Sequence, residues 1–159
     1  MSIKTNTILI FILSLLTLSI ISAFIIEYSF GHKACKLCVY QRYPYFISIL
    51  LIASILIIKK NIRIHLLLLS VISFVGTFLA FYHFGIEQGF FTESTVCSAQ
   101  NLQESLSKED ILKQLKENTV SCKDVTFKIA GLSLASINTI FSFVLSCIFL
   151  RLFIKYEIN

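Results

Sequence analysis

Near its start the chain reads ILIFILSLLTLSIISAFII at Ile8–Ile26 and then VYQRYPYFISILLIASILII at Val39–Ile58, and the short stretch between them contains Cys35-Lys36-Leu37-Cys38. A helix needs about 20 apolar residues to cross about 30 Å of hydrocarbon, which is the length of each run. The Cys-x-x-Cys pair therefore lies at a membrane surface. In a soluble α/β chain the same pair would indicate a thioredoxin-like site or half of a zinc site.

The composition of the whole chain agrees with a membrane setting. Of its 159 residues 56% are apolar and 14% are charged, and the mean hydropathy is +0.82. Soluble domains average about 45–50% apolar and about 25% charged residues. The net charge of +5 would suggest nucleic acid as a partner, but the basic residues do not form a stripe with interleaved aromatic residues. We therefore exclude nucleic acid and relate the positive charge to membrane topology.

Four segments are long and apolar enough to cross the membrane as helices. The predicted spans are approximately 8–26, 39–58, 64–84 and 129–150, and the predicted outer loops are 27–38 and 85–128. The second loop lacks the apolar content that a core of its own requires. The sequence therefore predicts an all-α membrane protein, in which residues 1–159 form a single four-helix bundle.

The positions of lysine and arginine predict the orientation of the bundle. These residues accumulate on the cytoplasmic flanks of transmembrane helices. Basic residues flank the spans at Lys4, Lys59, Lys60, Arg63, Arg151 and Lys155. We expect both termini to face the cytoplasm and both outer loops to face the opposite side. The first span exceeds the apolar core of a cleavable signal peptide, which is about 7–15 residues, so we expect it to remain uncleaved.

The second outer loop contains a predicted short amphipathic helix. Ser107 is a suitable N-cap, and Glu109 and Asp110 place acidic groups in the first turn. Its apolar side consists of Leu106, Ile111, Leu112 and Leu115. Such a helix either lies on the membrane surface or packs on the bundle with its polar side in solvent.

Four of the five cysteines fall in the predicted outer loops. Disulfides persist outside the cytoplasm, so two cysteines in each loop favour one bond within each loop, although the sequence leaves an interloop bond open. The expected bonds are Cys35–Cys38 and Cys97–Cys122. The second bond would stabilise its loop by about 3 kcal/mol and needs no redox role. The ring closed by the first bond is too small to stabilise much, which favours a reactive disulfide. Cys147, inside the fourth span, is predicted to be an inert packing residue.

The start of the second span offers groups that stabilise a thiolate. Unpaired backbone N–H groups of the first helical turn are expected near Cys38, which makes this sulfur the predicted thiolate. Arg42 lies on the same helix face, where its guanidinium can donate to an oxygen that gains negative charge. The alternative for Arg42 is an interfacial side chain that only reaches toward water. Pro44 is tolerated in the first turn of a helix but kinks anything earlier, so we expect the turn Cys38–Tyr43 to be offset from the rest of the span.

His83 lies at the outer end of the third span, at a depth similar to that of Cys38. It is either an interfacial hydrogen-bonding residue or a proton donor. No metal site is expected, because 24 residues separate the second-loop cysteines, where a zinc site has two to four between paired ligands.

Several stretches, in order along the chain, resemble the DsbB family of disulfide bond formation proteins. They are CKLCVYQRYPY at 35–45, YHFGIE at 82–87, VC at 96–97, SCKD at 121–124 and GLSLA at 131–135, followed by Asn138. The resemblance covers all four spans and both outer loops.

The resemblance implies a thiol:quinone oxidoreductase of the bacterial inner membrane, with its cysteine loops facing the periplasm. Such a protein reoxidises a periplasmic DsbA-type thiol oxidase, passes the electrons to ubiquinone or menaquinone, and so supports disulfide bond formation in exported proteins. On the quinone side, the resemblance implies contacts from Cys38, Arg42 and His83.

The resemblance also implies the order of thiol–disulfide exchange. Cys97 would form the mixed disulfide with the partner oxidase, Cys122 would be its pair-mate, and Cys35 would accept the exchange from the second loop. Electrons would then reach the quinone through Cys38.

Two alternatives are compatible with four spans and paired cysteines. A vitamin K epoxide reductase-like enzyme is also a quinone-linked four-helix bundle, but its quinone-side Cys-x-x-Cys comes late in the chain, whereas here it comes first. A non-enzymatic scaffold resembling a tetraspanin would have structural disulfides in both loops. That alternative leaves Cys35, Cys38 and Arg42 without a role.

Overall fold

The computed structural model describes residues 3–92, 121–123, 128–129 and 131–158. The helices are α1 (Ile3–Tyr28), α2 (Lys36–Tyr40), α3 (Arg42–Ile58), α4 (Ile62–Glu87) and α5 (Leu134–Ile158), and a ribbon is formed by β1 (Lys128–Ile129) and β2 (Leu132–Ser133). Cys97 and the amphipathic helix predicted after Ser107 lie outside the described residues.

The prediction of an all-α protein with four membrane-spanning helices is confirmed. Among the described residues, four helical segments are long and apolar enough to cross a membrane: Lys4–Tyr28, Lys36–Ile58, Ile62–Glu87 and Leu134–Tyr156. The second segment combines α2 and α3. Large apolar side chains such as Phe11, Leu50 and Ile57 are more than half exposed on the outside of the bundle, where lipid would cover them.

The core of the bundle is built from all four spans. Leu9 and Leu16 of α1 meet Ile52 of α3, Leu66 of α4 and Phe149 of α5, and each of these side chains is almost completely buried. Helices α4 and α5 form the most extensive pair. Because lipid is as apolar as the core, close packing rather than removal from water must hold these helices together.

Small and hydroxyl side chains allow this close approach. A Cβ atom at Gly76 would lie 3.3 Å from the Cβ of Pro44, so the backbone of α4 packs closely against the Pro44 ring of α3 there. Ser70 donates a hydrogen bond to the Ser146 carbonyl at 3.3 Å, and Ser146 returns one to the Ser70 carbonyl at 3.2 Å. These reciprocal bonds join α4 to α5 inside the membrane-spanning part.

The second span is interrupted at Gln41, between α2 and α3. Pro44 has no N–H, so the carbonyl of Tyr40 cannot receive its usual helical bond, and the proline ring clashes with that carbonyl in a continuous helix. The sequence predicted an offset in this region for the same reason.

The fourth span begins at Leu134 in the structure rather than at the predicted Ile129. Ile129 pairs with Leu132 in the antiparallel ribbon, and Gly131 lies in the turn with φ of +83°. Backbone of this conformation cannot continue a right-handed helix. The ribbon therefore delays the start of α5.

The basic ends of the helices lie together. Arg63, at the start of α4, places its guanidinium 5.3 Å from the ring centroid of Phe153 in the last turns of α5. This contact brings the α3–α4 connection to the end of the bundle at which α5 finishes. We call the opposite end, which contains Cys35 and Cys38, the outer end; its orientation in a cell stays a prediction.

Candidate functional site

A disulfide between Cys35 and Cys38 lies at the outer end of the bundle. Cys35 is the N-cap of α2, and the backbone N–H of Cys38 donates to the Cys35 sulfur at 3.2 Å. Because α2 begins at Lys36 rather than at Val39, the unpaired backbone N–H groups of its first turn lie near the Cys35 sulfur. The sequence analysis predicted these N–H groups near the Cys38 sulfur instead.

Cys122 packs against this disulfide. Its side chain is 2% exposed and belongs to a small apolar cluster with Cys35, Leu37 and Ile86. The Cys122 sulfur is itself in a disulfide. Its predicted partner, Cys97, lies outside the described residues. The structure therefore places one sulfur of the second loop beside the Cys-x-x-Cys pair.

His83 joins these sulfurs from α4. Its Nε2 lies 3.6 Å from the Cys35 sulfur, and the Cys122 sulfur completes a group of three atoms that all lie within 4.8 Å of one another. All three side chains are buried. A sulfur binds a metal as a thiolate, and both sulfurs here are in disulfides. The expected absence of a metal stays a prediction.

A chain of polar side chains runs from His83 into the bundle. The Gln41 amide nitrogen lies 2.9 Å from His83 Nδ1, and the Gln41 amide oxygen accepts a hydrogen bond from Asn138 at 2.5 Å. The Asn138 oxygen accepts from the Tyr45 hydroxyl and, at 3.3 Å, from Ser142. Sequence reasoning missed Gln41 and Asn138 as site residues. The available signal was an amide side chain within an otherwise apolar span, which is costly unless it has partners.

Arg42 is held on the inner face of its helix rather than extended into water. Its guanidinium forms an ion pair with Glu27 at 2.6 Å and lies 4.9 Å from the ring centroid of Phe24. The Arg42 side chain is 14% exposed. Glu27 was not singled out in the sequence, although an acidic residue at the end of an apolar run is a recognisable sign of a partner.

A cavity of about 460 Å³ lies below the disulfide, between α1, α3, α4 and α5. Cys38, Arg42 and His83, which were the predicted quinone-side residues, all line it. Glu27 and Glu87 add two carboxylates, and the walls are apolar side chains of α1 and α5. Glu87 Oε1 lies 3.8 Å from His83 Nε2.

The Cys-x-x-Cys pair thus has two different neighbours. Both cysteines line a cavity large enough for a small molecule, and Cys35 also lies within 4.8 Å of Cys122, with which it can exchange disulfide bonds. A two-electron disulfide exchange with Cys122 can therefore be coupled to the two-electron reduction of a molecule in the cavity.

Comparison with known proteins identifies the family of the chain. The family model described as disulfide bond formation protein DsbB matches residues 4–152. The chain belongs to the DsbB family. A protein of Rickettsia prowazekii (strain Madrid E), described as uncharacterized, is 33% identical over 149 residues, which cover 91% of this chain and 86% of the relative. No solved structure matches.

Membership in the DsbB family makes the chain a multi-pass membrane oxidoreductase of disulfide bond formation. The family match decides against the vitamin K epoxide reductase-like enzyme and against the scaffold. In the described residues of this DsbB-family protein, the cysteine motif, Cys122 and the cavity meet at one end of the bundle.

Proposed function

We propose that this protein is a thiol:quinone oxidoreductase that reoxidises a periplasmic DsbA-type thiol oxidase and passes the electrons to a membrane quinone. The observation that carries the proposal is the position of the Cys35–Cys38 disulfide between the Cys122 sulfur and the cavity. The pair therefore has as neighbours both a sulfur with which it can exchange and a cavity for an electron acceptor.

The exchange side begins with the partner. A thiolate of the reduced oxidase attacks Cys97, which breaks the Cys97–Cys122 bond and leaves the electron pair on Cys122. The Cys122 thiolate then attacks Cys35, within 4.8 Å. The Cys35–Cys38 bond breaks, and Cys38 receives the electron pair as a thiolate that faces the cavity.

The cavity side holds the acceptor. Its volume and the apolar side chains of α1 and α5 in its walls fit a small apolar ring compound, and Glu27, Arg42 and His83 add polar groups to the lining that also contains Cys38. Arg42 would donate to the carbonyl oxygen that gains negative charge on reduction. Two thiols supply two electrons and two protons, which balance the conversion of a quinone to a quinol.

The same proposal covers cellular placement. The protein lies in the bacterial inner membrane, with both termini in the cytoplasm and the loops that carry the cysteines in the periplasm. The clustering of Arg63 with the end of α5 supports this orientation, because positive charge is retained on the cytoplasmic side.

Turnover tests the enzyme activity directly. The purified full-length protein is mixed with a reduced DsbA-type oxidase and a soluble quinone, and quinone absorbance is followed. We expect turnover in the wild type and in Ser70→Ala, which is distant in sequence from the cysteines, and none in Cys38→Ser. Turnover that survives Cys38→Ser, or its absence from the wild type, contradicts the proposal.

Trapping tests the order of exchange. Cys122→Ser removes the sulfur that resolves the complex, so a mixed disulfide between Cys97 and the partner should accumulate on a non-reducing gel. The matched variant Cys147→Ser should accumulate none. A partner adduct on Cys35 would overturn the assigned order.

A further inference from the structure

The hydrogen bonds between Tyr45 and His83 all run in one direction. The Tyr45 hydroxyl donates to the Asn138 oxygen, the Asn138 amide donates to the Gln41 oxygen, and the Gln41 amide donates to His83 Nδ1. Gln41 and His83 are 8% and 5% exposed, so water does not compete for these bonds.

This direction determines where the ring proton of a neutral His83 lies. An amide NH₂ group can only donate, so the nitrogen that faces it must accept and carries no proton. Nδ1 faces the Gln41 amide nitrogen at 2.9 Å. The proton of the neutral ring is therefore on Nε2.

The surroundings of Nε2 agree with a donor at that position. Its neighbours are the Cys35 sulfur at 3.6 Å and Glu87 Oε1 at 3.8 Å, both of which accept hydrogen bonds. The backbone of Cys122 also forms a hydrogen bond with His83. The Cys35 sulfur already receives the backbone N–H of Cys38 at 3.2 Å. Cys35 thus accepts the Cys38 N–H and is, with Glu87 and the Cys122 backbone, one of the groups within reach of the single Nε2 hydrogen.

We propose that Gln41 and Asn138 are positioning residues, which hold His83 as its Nε2–H tautomer and direct that N–H at the Cys35 sulfur. Both residues also line the cavity. Their hydrogen bonds go to each other, to Tyr45 and to His83, so they reach the Cys35 sulfur only through His83. The simpler explanation is that these hydrogen bonds only satisfy buried amide groups. It predicts no effect of Gln41 or Asn138 on the stability of the Cys35 thiolate.

The role of this N–H rests on the proposed function. After exchange, Cys35 is bonded to Cys122. The second thiol of the partner oxidase then attacks the partner sulfur of the mixed disulfide, so the partner leaves oxidised and Cys97 is released as a thiolate. When the Cys97 thiolate attacks Cys122, the Cys97–Cys122 bond forms, the Cys35–Cys122 bond breaks, and the electron pair stays on Cys35 as a thiolate. The His83 N–H and the Cys38 N–H would both donate to that negative charge.

The first test isolates Cys35. In a full-length protein with serine at positions 38, 97, 122 and 147, Cys35 is the only thiol, and its alkylation rate is measured against pH. The accessibility of the thiol changes the maximal alkylation rate at high pH, whereas the stability of the thiolate changes the pH at which the rate is half of that maximum. Gln41→Leu should move the midpoint to higher pH by about one unit, which corresponds to the loss of one charge-assisted bond.

Matched variants separate donation from packing. His83→Gln retains an N–H donor at similar reach and should keep the midpoint near that of the parent, whereas His83→Leu should shift it as Gln41→Leu does. Ser70→Ala, in the same helix as His83, should shift nothing. An unchanged midpoint in both leucine variants overturns the proposal. Because neither partner nor quinone is present, this result is independent of the proposed function.

The second test observes the tautomer in the unmodified protein. Nitrogen NMR of the ¹⁵N-histidine-labelled protein in micelles, with His83 assigned by its loss in His83→Gln, should show an unprotonated Nδ1 and a protonated Nε2 at neutral pH. Gln41→Leu should add signals of the second tautomer. A proton on Nδ1 in the wild type, as a neutral tautomer or a cation, overturns the assignment.

Discussion

Arg42 shares its guanidinium between the cavity and a carboxylate. Glu27 holds it at 2.6 Å and Phe24 lies under it at 4.9 Å. A guanidinium has five N–H donors in a planar fork, so one carboxylate does not use all of them. The remaining donors are available to a ligand in the cavity, and the position of Glu27 determines where they point.

We expect Glu27→Gln to weaken acceptor binding while leaving exchange intact. The amide keeps the size of the side chain but loses the charge that orients Arg42. Both groups are partly exposed, and such pairs are worth about 0.2–1 kcal/mol, so the KM for a soluble quinone should rise about 1.4- to fivefold. Steady-state turnover measures this, with Ser29→Ala as the control. An unchanged KM would show that Glu27 does not orient Arg42 toward the acceptor.

The sequence identified some site residues and missed others for one physical reason. Cys35, Cys38 and Arg42 belong to one local motif, and their spacing alone indicates their chemistry. The Gln41–Asn138 contact joins residues 97 positions apart and depends on how two helices pack. Periodicity does not specify such a contact. A polar residue in a transmembrane span indicates that a hydrogen-bond partner exists, but the sequence does not identify that partner.

At the level of single elements, the end of α4 is covered by the segment that follows it. Phe90 and Phe91 both donate backbone hydrogen bonds to the Gly85 carbonyl, at 2.8 and 3.2 Å. The Phe91 ring lies over Gly85 and stacks on Tyr82 with the centroids 5.6 Å apart. Tyr82 in turn packs against the cluster that contains Cys35 and Cys122. Gly85 therefore supports the exchange site indirectly.

Gly85→Ala should be destabilising in the wild type and stabilising when Phe91 is absent. The new Cβ would overlap the Phe91 ring, which must move away. Overpacking lowers the free energy of unfolding by about 1–3 kcal/mol, whereas replacing glycine with alanine within a helix raises it by about 1 kcal/mol. Thermal unfolding in detergent should show this reversal of sign in the Phe91→Ala background. The same sign in both backgrounds would contradict the contact.

Element boundaries were predictable where a residue has a fixed local effect. Pro44 indicated the interruption in the second span, because the missing N–H of a proline removes a helical hydrogen bond whatever the tertiary packing around it. The ribbon before α5 was not predicted. Ile129 reads as the start of an apolar helix, and only its pairing with Leu132 across Gly131 places it in a strand.

On the scale of the whole molecule, the bundle encloses a cavity at one end and a tight core at the other. Leu9, Ile55, Ile62 and Phe149 are buried in the core beside the α3–α4 connection. Toward the outer end, α1 and α5 provide walls of the cavity instead. Hydropathy alone predicted four spans, because membrane insertion depends on total apolar length. It did not predict this asymmetry, which depends on side chains that meet between helices.

The orientation of the bundle gives the last prediction. Lys59, Lys60 and Arg63 connect α3 to α4, and retention of this positive charge should keep the connection in the cytoplasm. In a Cys147→Ser background, Lys60→Cys should resist a membrane-impermeant maleimide in cells with a permeable outer membrane and react only after lysis. Gln88→Cys, just beyond α4 at the outer end, should react in intact cells and serves as the matched control. Labelling of Lys60→Cys before lysis would place the connection in the periplasm. The cysteine pair would then face the reducing cytoplasm, where a disulfide relay has no oxidising role.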